Sequence, residues 1–474
     1  MMQMIMDYRG IFLGIAAFVM GCWSAHADPT QLSKEHNEPT SGSSRCRERL
    51  EAAYMRGLDM ERYGLMAERK HLDLATLEWA LAWYRAPSDR VDRWAKGTLR
   101  AHVELVDALM GGAYEYSLGG DWKHPCFTKT LAQQSVTIAL YAAAYRILGI
   151  EEYLSIAERS VNYVESYMKA SSGYYFASRG SCDFGDSPEA DSGEAYVIKR
   201  GAIEKDERVS LAENANFVRA LTELYAVSTR ERFKELAIQG ARKLMADESG
   251  RPESVVVIEP DSATRELLDR VAIGRALYAL YSITGDTEWL REAIAVLNQI
   301  VGDSGVFVRS LEERVAVSSR IEAGAALARF SNLIYSTVKE DRYREMAKRA
   351  LASVLSGRCE QAGVVDAARL LLAEEELGVE PPHAVLLGSS EDSRTEELWR
   401  AMLSRLPHYV RRERFSSVSA LKLGAEMYYP RLSKPAAFMC ANKRCSVPIF
   451  TAAELIERIA EMMNNNKGVG YEDH

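Results

Sequence analysis

The architecture of this chain is predicted by residues 276–290, ALYALYSITGDTEWL, because their pattern recurs along the sequence. An Ala/Leu-rich helix ends in a short polar turn, and an aromatic residue then opens an amphipathic helix. Three further segments follow the same plan and begin at Ala139, Ala220 and Ala326. Their spacing is uneven, roughly 50 to 80 residues, so the repeated unit is a helical hairpin with connecting loops of different length.

The two helices of each hairpin differ in which faces they can bury. A helix that is small and apolar on most faces is buried, whereas a helix with one apolar stripe lies outside it. Alternation of the two predicts a closed double ring, an α/α toroid whose inner helices surround a cavity, over residues 45–378. A solenoid of tetratricopeptide type is the alternative, but its repeats run about 34 residues. The longer and irregular spacing favours the toroid.

The pattern changes after Gly378. Residues 380–382, Glu-Pro-Pro, break the helix. We predict a small α/β appendage over residues 379–463. Its predicted strands lie at residues 383–388, 408–412 and 436–440, and its predicted helices lie at residues 393–406 and 451–463. The last of these, a helix, begins with the capping box of Thr451 and Glu454. Residues 464–474 are expected to be a disordered tail.

The N-terminus has the features of a secretory signal peptide. Its apolar core of about 13 residues is too short to span a bilayer, and residues 24–27, Ser-Ala-His-Ala, fit a signal-peptidase site. We predict cleavage after Ala27, a flexible spacer over residues 28–44, and a periplasmic or secreted protein with no transmembrane segment. Anchoring as a lipoprotein at Cys22 is the alternative.

Charge and cysteine content limit the partners. The net charge of −8 and the pI of about 5.7 argue against a nucleic-acid partner.

Six cysteines follow the leader, and we expect disulfides in an oxidising compartment. Cys440 and Cys445, on either side of a turn, are the predicted pair, and the pairing of the others stays open: Cys46, Cys126, Cys182 and Cys359. We predict no metal site and no cofactor.

Several stretches resemble the signatures of one family. Residues 111–129, GGAYEYSLGGDWKHPCFTK, resemble its GGxYD…GGG…W…P…F.K motif. Residues 173–177, GYYFA, with residues 191–197, DSGEAYV, resemble its GGFYSAEDADSEG stretch, and residues 438–448, FMCANKRCSVP, resemble its C-terminal signature. The family is that of spermatogenesis-associated protein 20, in which a thioredoxin-like domain is fused to a six-hairpin-glycosidase-like toroid. The resemblance implies an (α/α)6 toroid and a carbohydrate substrate, here without the thioredoxin-like domain.

The chain departs from this family where proton-transfer groups are expected. The family's His, Glu and Asp-Asn in HFEKMLYDNA correspond to Cys126, Thr128 and Gln133-Gln134. Residues 179–183, Arg-Gly-Ser-Cys-Asp, stand where the family has Glu-Asp-Ala-Asp. These departures predict lost or altered chemistry.

Candidate site residues follow from what sugar chemistry requires. A glycosidase needs two carboxylates beside the scissile bond, and an epimerase needs a base, often His. We predict Glu115 and His124 as catalytic. The alternatives are a solvated or ion-paired acid for Glu115 and simple packing for His124. Aromatic rings stack on sugars, and carboxylates and amides bind hydroxyls, so the predicted substrate-binding residues are Tyr114, Tyr116, Asp121, Trp122, Gln133, Gln134, Tyr174 and Asp183.

Two further groups of residues stay open. Glu213, Asn214 and Asn216 begin an inner helix, where they either bind a ligand or cap the helix. Cys126 and Cys182 are expected to form a disulfide at the mouth of the cleft if their loops meet.

Three functions fit the sequence. The first is an exported toroid with a carbohydrate-type cleft that binds or assists without the family's catalytic residues. The second is an active glycan-processing enzyme, a hydrolase or an epimerase. The third is a structural toroid that binds a protein partner, and it predicts a plugged or apolar cavity without exposed aromatic rings.

Overall fold

The computed structural model describes residues 41–82, 89–180, 205–246, 262–302, 306–312, 315–355, 359–406, 409–416, 429–441 and 444–465. The chain divides into two compact units, residues 1–46 and 47–474. The predicted signal peptide, most of the predicted spacer and the last nine residues lie outside the described residues. Helix α1 begins at Ser41, so the end of the predicted spacer is helical.

Within the described residues, the helices alternate between inner and outer positions. The inner helices are α2 (Leu74–Ala82), α4 (Leu131–Leu148), α6 (Leu211–Ser228), α8 (Ala263–Thr284), α11 (Val317–Val338) and α13 (Val364–Gly378). The outer helices are α1 (Ser41–Arg56), α3 (Asp89–His102), α5 (Glu151–Tyr167), α7 (Glu231–Ala246), α9 (Thr287–Val301) and α12 (Asp341–Leu355), and the short α10 (Val306–Glu312) packs against α8.

Contacts between the inner helices close a ring. Each packs against the next in the order α2, α4, α6, α8, α11 and α13, and α13 packs back against α2. An outer helix packs against each of α2, α4, α6, α8 and α11. The predicted α/α toroid is therefore confirmed, and the repeated hairpins are its units.

Helix ends follow ordinary capping rules. Thr130 and Ser210 cap α4 and α6 by accepting the backbone N–H of the third helical residue. Gly149 and Gly285 end α4 and α8 in the left-handed conformation, and Thr229 takes the same conformation after α6. A small antiparallel sheet of β1 (Lys129–Thr130), β2 (Ser178–Arg179) and β3 (Lys205–Asp206) precedes the inner helices α4 and α6.

The C-terminal residues form the expected α/β appendage. Its sheet has the order β5 (Arg411–Phe415), β4 (His383–Leu387), β6 (Ala436–Ala441) and β7 (Arg444–Cys445), in which only β4 and β5 run parallel. Helices α14 (Ser393–Arg405) and α15 (Ala452–Asn465) cover it. Cys440 and Cys445 form the predicted disulfide between β6 and β7.

The appendage lies against the C-terminal ends of the inner helices. The Trp399 indole donates to the Ile283 carbonyl at 3.0 Å, and the Tyr281 hydroxyl donates to Glu413 Oε1 at 3.0 Å. Asn332 Nδ2 donates to the Tyr409 hydroxyl at 2.9 Å. That end of the ring is therefore filled by protein. No helix among the described residues has the length and apolar character needed to cross a membrane.

Candidate functional site

The Gly-rich loop that resembles the family signature is held by a buried amide clamp. Gln134 of α4 accepts the Ala113 N–H at 2.8 Å and donates to the Ala113 carbonyl at 2.7 Å. Gly112 has φ +72, and a Cβ there would come within 3.0 Å of both Tyr163 and Gln134. A substrate-binding role does not fit Gln134, because the loop backbone already uses both ends of its buried amide.

A buried cation completes the same loop. The Lys129 ammonium, which has no exposed surface, donates to Asp107 Oδ2 at 2.9 Å and to the Gly111 carbonyl at 3.0 Å. It also lies 4.9 Å from the ring centroid of Tyr114, whose hydroxyl donates to Asp107. Tyr114 is therefore part of the packing around a buried ion pair, and its face is not available for a sugar.

The other residues of this loop lie on the surface or in packing contacts. His124 is largely exposed and contacts Asp121 at 2.9 Å. Trp122 is buried and donates to the Arg62 carbonyl at 2.8 Å. The Arg69 guanidinium covers the Tyr116 ring at 4.6 Å. His124 does not line the central cavity, so its placement does not support the predicted catalytic role. The predicted binding residues Asp121, Trp122 and Tyr116 do not line the cavity either, and their placement does not support binding.

The next hairpin repeats the clamp. Asn214 of α6 accepts the Tyr175 N–H at 3.0 Å and donates to the Tyr175 carbonyl at 3.0 Å, as Gln134 does for Ala113. Tyr174 beside it is buried, and its hydroxyl donates to the Lys243 carbonyl. Cys126 is buried and disulfide-bonded. Asp183 and Cys182 lie outside the described residues.

The inner helices enclose a polar cavity of about 330 Å³. Five of them contribute side chains, and no aromatic or histidine side chain is among the described residues that line it. The polar lining residues are Asp73, Glu78, Ser210, Glu213, Asn216, Arg219, Arg265, Asp269, Arg275, Glu322, Arg329 and Arg369. The predicted aromatic shelf is therefore absent from the described lining, because Tyr114, Trp122 and Tyr174 pack into the interior.

Two carboxyl groups in this cavity titrate near neutral pH. Burial raises the pKa of Glu213, the third residue of α6, to about 7, and Glu213 Oε2 has no hydrogen-bond partner among the described residues. Burial raises the pKa of Asp269 on α8 to about 6. The two carboxyls repel each other, and Arg265 favours the charged form of both. Such carboxyls can exchange protons with a ligand at physiological pH.

Glu115 lies at the edge of this group. It is half-buried, and burial raises its pKa against the opposing charges of Arg69 and His71. Its charge also contributes to the raised pKa of Glu213, although Glu115 is not a lining residue. Gln133 is buried at the third position of α4, and its Nε2 has no hydrogen-bond partner among the described residues, but Gln133 does not line the cavity.

Three arginines form a layer at the closed end of the cavity. Arg219, Arg275 and Arg329 each lie nine residues before the last residue of α6, α8 and α11. Arg329 binds Glu376 at 2.6 Å and Glu78 at 2.5 Å. Burial acts to lower the pKa of Arg329, but these two carboxylates outweigh it and raise the pKa.

Arg219 and Arg275 lack such neutralisation. Neither side chain forms an ion pair or a hydrogen bond with another described residue, and Arg275 Nη2 is buried without a partner. Burial lowers the pKa of Arg219, and burial together with the charges of Arg219 and Arg329 lowers the pKa of Arg275 well below its ordinary value. Both remain cations at neutral pH, because arginine loses its proton only in strong base.

Sequence reasoning missed most of this cavity. It identified Glu213 and Asn216 only as alternatives to a helix cap, and it did not identify Asp269 or the arginines. The Arg-Ala-Leu triplets at residues 219–221 and 275–277 were the available signal. The fourth repeat lacks this triplet. Its Ala-Leu pair, residues 326–327, comes before Arg329, and Phe330 follows the arginine.

Solved structures share this fold. A sugar epimerase from a ruminal bacterium is similar with a TM-score of 0.52 and 15% identity, over 71% of this chain and 99% of the epimerase. A cellobiose 2-epimerase from Spirochaeta thermophila gives 0.51 and 13%, over 72% and 99% of the two chains. A D-mannose isomerase gives 0.51 and 13%, over 71% and 96%.

These likenesses establish the toroid fold that such sugar-processing enzymes have. No protein-family model and no curated protein sequence matches the chain. Fold alone does not assign chemistry. Among the described residues, no group of three His, Cys, Asp or Glu side chains is placed to hold a metal ion.

Proposed function

We propose that the central cavity binds a sugar and that Glu213 and Asp269 transfer protons to and from it. Two carboxyl groups with pKa values near 7 and 6 line one cavity in an α/α toroid, and this arrangement supports the proposal most directly. A general acid or base acts best when its pKa lies near the working pH. The cavity volume of about 330 Å³ is at the lower end for ligand pockets and suits a monosaccharide.

Several features favour this proposal over the other two functions. A structural toroid predicts a plugged or apolar cavity without exposed aromatic rings. The described lining has no aromatic ring, but 12 of its 20 residues are charged or polar, so the cavity is not apolar. The departures from the family signature at residues 126–134 lie in the loop before α4 and in its first turn, and none of these residues lines the cavity, so they do not remove its acid–base groups. The resemblance to the spermatogenesis-associated protein 20 family supports a sugar ligand but names no reaction.

A binding or auxiliary role is the second candidate. It is favoured by the lack of a histidine among the described lining residues, since an epimerase often uses His as its base. The two candidates make different predictions for Glu213 and Asp269. Removal of a proton-transfer group stops turnover but preserves binding, whereas in a binding protein no turnover exists to be lost.

The test combines ligand binding with turnover. The oxidised protein is titrated with neutral and acidic monosaccharides by calorimetry, and each ligand that binds is assayed for epimerisation, isomerisation and hydrolysis of its glycosides. Glu213→Gln and Asp269→Asn should each lower turnover by about 10²-fold or more and change affinity little. Glu235→Gln, an exposed acid on the outer helix α7, is the matched control.

Three outcomes separate the candidates. Turnover that depends on both acids supports the proposal. Binding without turnover supports the auxiliary role instead. No binding by any sugar would overturn both, and the search would turn to protein partners.

A further inference from the structure

The arginine layer bears on which sugar the cavity accepts, and the following inference rests on the proposed function. Each of three neighbouring inner helices places one arginine at the same distance from its C-terminal end. Helices of one ring that are aligned in this way bring the three guanidinium groups to a common depth. All three line the same cavity.

Among the described residues, direct contacts balance only one of these three charges. Glu78 and Glu376 both bind Arg329, with donor–acceptor distances from 2.5 to 3.3 Å. Arg219 and Arg275 sense those carboxylates only at longer range. Arg219 and Arg275 are partly buried at the cavity wall, and Arg275 Nη2 is buried without a partner among the described residues. The layer holds three arginines against two carboxylates, so it carries excess positive charge that an anionic ligand can balance.

The rest of the lining points the same way. Neutral sugars are usually held by an aromatic ring against the apolar face, and the described lining has none. Guanidinium groups bind carboxylate and phosphate oxygens through paired, charge-assisted hydrogen bonds. Arg275 also borders a second cavity of about 20 Å³, which has room for one water, so only the larger cavity can hold a ligand.

We propose that the cavity takes an acidic monosaccharide, whose carboxylate or phosphate binds Arg219 and Arg275 while its hydroxyl end reaches Glu213 and Asp269. Glu213 precedes Arg219 by six residues on α6, and Asp269 precedes Arg275 by six residues on α8, so the arginines lie deeper in the ring than the acids. That separation, about 9 Å along the helix axis, matches the length of one monosaccharide with its charged substituent.

Calorimetric titrations with matched sugars test this proposal. The panel is glucose, glucuronate, glucose 6-phosphate, galactose and galacturonate, with acetate and inorganic phosphate as anions that lack the sugar. At least one acidic sugar should bind about tenfold or more tightly than its neutral partner, since a charge-assisted hydrogen bond is roughly twice as strong as a neutral one. The uronate and the phosphate ester distinguish the two sources of negative charge.

Variants locate the anion. Arg275→Gln and Arg219→Gln should each abolish the preference for the acidic sugar, whereas Arg275→Lys should retain part of it. Arg291→Gln on the exposed face of α9 is the matched control and should change nothing. Because each Gln variant removes a partly buried charge that has no direct partner among the described residues, the melting temperature without ligand should stay the same or rise.

The outcomes separate this inference from the proposed function. Equal affinity for neutral and acidic sugars, or a preference that survives both Gln variants, would overturn the anionic ligand and leave the sugar cavity intact. If neither kind of sugar binds, the proposed function itself fails. Binding of phosphate or acetate alone, with no gain from the sugar, would also contradict the inference.

Discussion

Two amide side chains hold the loops that precede the inner helices. Gln134 and Asn214 occupy the fourth position of α4 and α6, and each bonds both the N–H and the carbonyl of one loop residue. Ala113 and Tyr175 form isolated β-bridges with Val106 and Lys169, but the hydrogen bonds of those bridges use the flanking residues. The backbone groups of Ala113 and Tyr175 themselves are buried and must find other partners, which the amides supply. These amides are therefore structural, although their place in a family signature suggested a site.

Truncation of Gln134 tests that role. Gln134→Ala leaves two buried backbone groups without partners, so the free energy of unfolding should fall by about 2–3 kcal/mol. Urea denaturation of the oxidised protein measures the change. Gln239→Ala on the exposed face of α7 is the matched control, with an expected effect within about 0.5 kcal/mol. Equal losses in the two variants would contradict the clamp.

Glu213 predicts a pH dependence of stability. Its pKa is about 7 in the folded protein against an ordinary 4.5, so between these pH values the native state keeps a proton that the unfolded chain has released. The contribution of Glu213 to the free energy of unfolding therefore falls as the pH rises from 4.5 to 7, and it stays constant above that pH.

Glu213→Gln removes this contribution. Between pH 4.5 and pH 8 the variant should gain about 3–3.5 kcal/mol relative to wild type, because the pKa rises from 4.5 to about 7 and each pKa unit corresponds to about 1.4 kcal/mol. Urea denaturation at several pH values gives the difference. Glu235→Gln should follow wild type throughout, and a difference for Glu213→Gln that does not vary with pH would show that Glu213 titrates normally.

Inner helices share a common way of ending, and the residue at that point differs between repeats. Gly149, Gly285, Thr229 and Lys339 all have positive φ, from 54° to 72°. A left-handed backbone costs a residue with a Cβ about 1–2 kcal/mol, and glycine avoids that cost. The Thr229 end is thus more strained than the Gly149 end.

A reciprocal pair of substitutions measures this strain. Thr229→Gly should stabilise the protein by about 1 kcal/mol, and Gly149→Ala should destabilise it by about the same amount. A Cβ at residue 149 would meet no atom within 4 Å, so sterics outside the helix do not confuse the comparison. Shifts of melting temperature in opposite directions are expected, and shifts in the same direction would refute the backbone explanation.

The ring as a whole is closed by contacts between residues far apart in sequence. Arg329 on α11 binds Glu78 on α2, 251 residues earlier, and Glu376 on α13. The three side chains join the last two inner helices to the first. Because the triad is largely buried, removal of one member leaves the charges of its partners buried without compensation, which is strongly destabilising.

Neutralisation of the triad separates charge from packing. Arg329→Met alone should cost about 3–5 kcal/mol, since it leaves two buried carboxylates without their cation. The triple variant Arg329→Met, Glu78→Gln, Glu376→Gln should recover most of that loss. Denaturant midpoints provide the measurement, and a triple variant no more stable than the single one would mean that packing of the Arg329 side chain dominates.

The sequence by itself determined the elements and their order. Apolar spacing and turn residues identified the hairpins, the Pro-Pro break at residues 381–382 marked the start of the appendage, and proximity identified the Cys440–Cys445 disulfide. These features depend on local chemistry, in which neighbours along the chain are also neighbours in space. The toroid follows from them because each hairpin has one face that must be buried.

The cavity depended on the tertiary structure. Glu213, Asp269, Arg219 and Arg275 are ordinary polar residues on two helices, and nothing nearby in sequence distinguishes them from a solvated face. Closure of the ring partly withdraws them from water, and that burial shifts their pKa values and leaves two cations without a direct partner among the described residues. The same closure turned the aromatic loop residues inward. Burial is a property of the assembled ring, so the site became visible only once the helices were packed together.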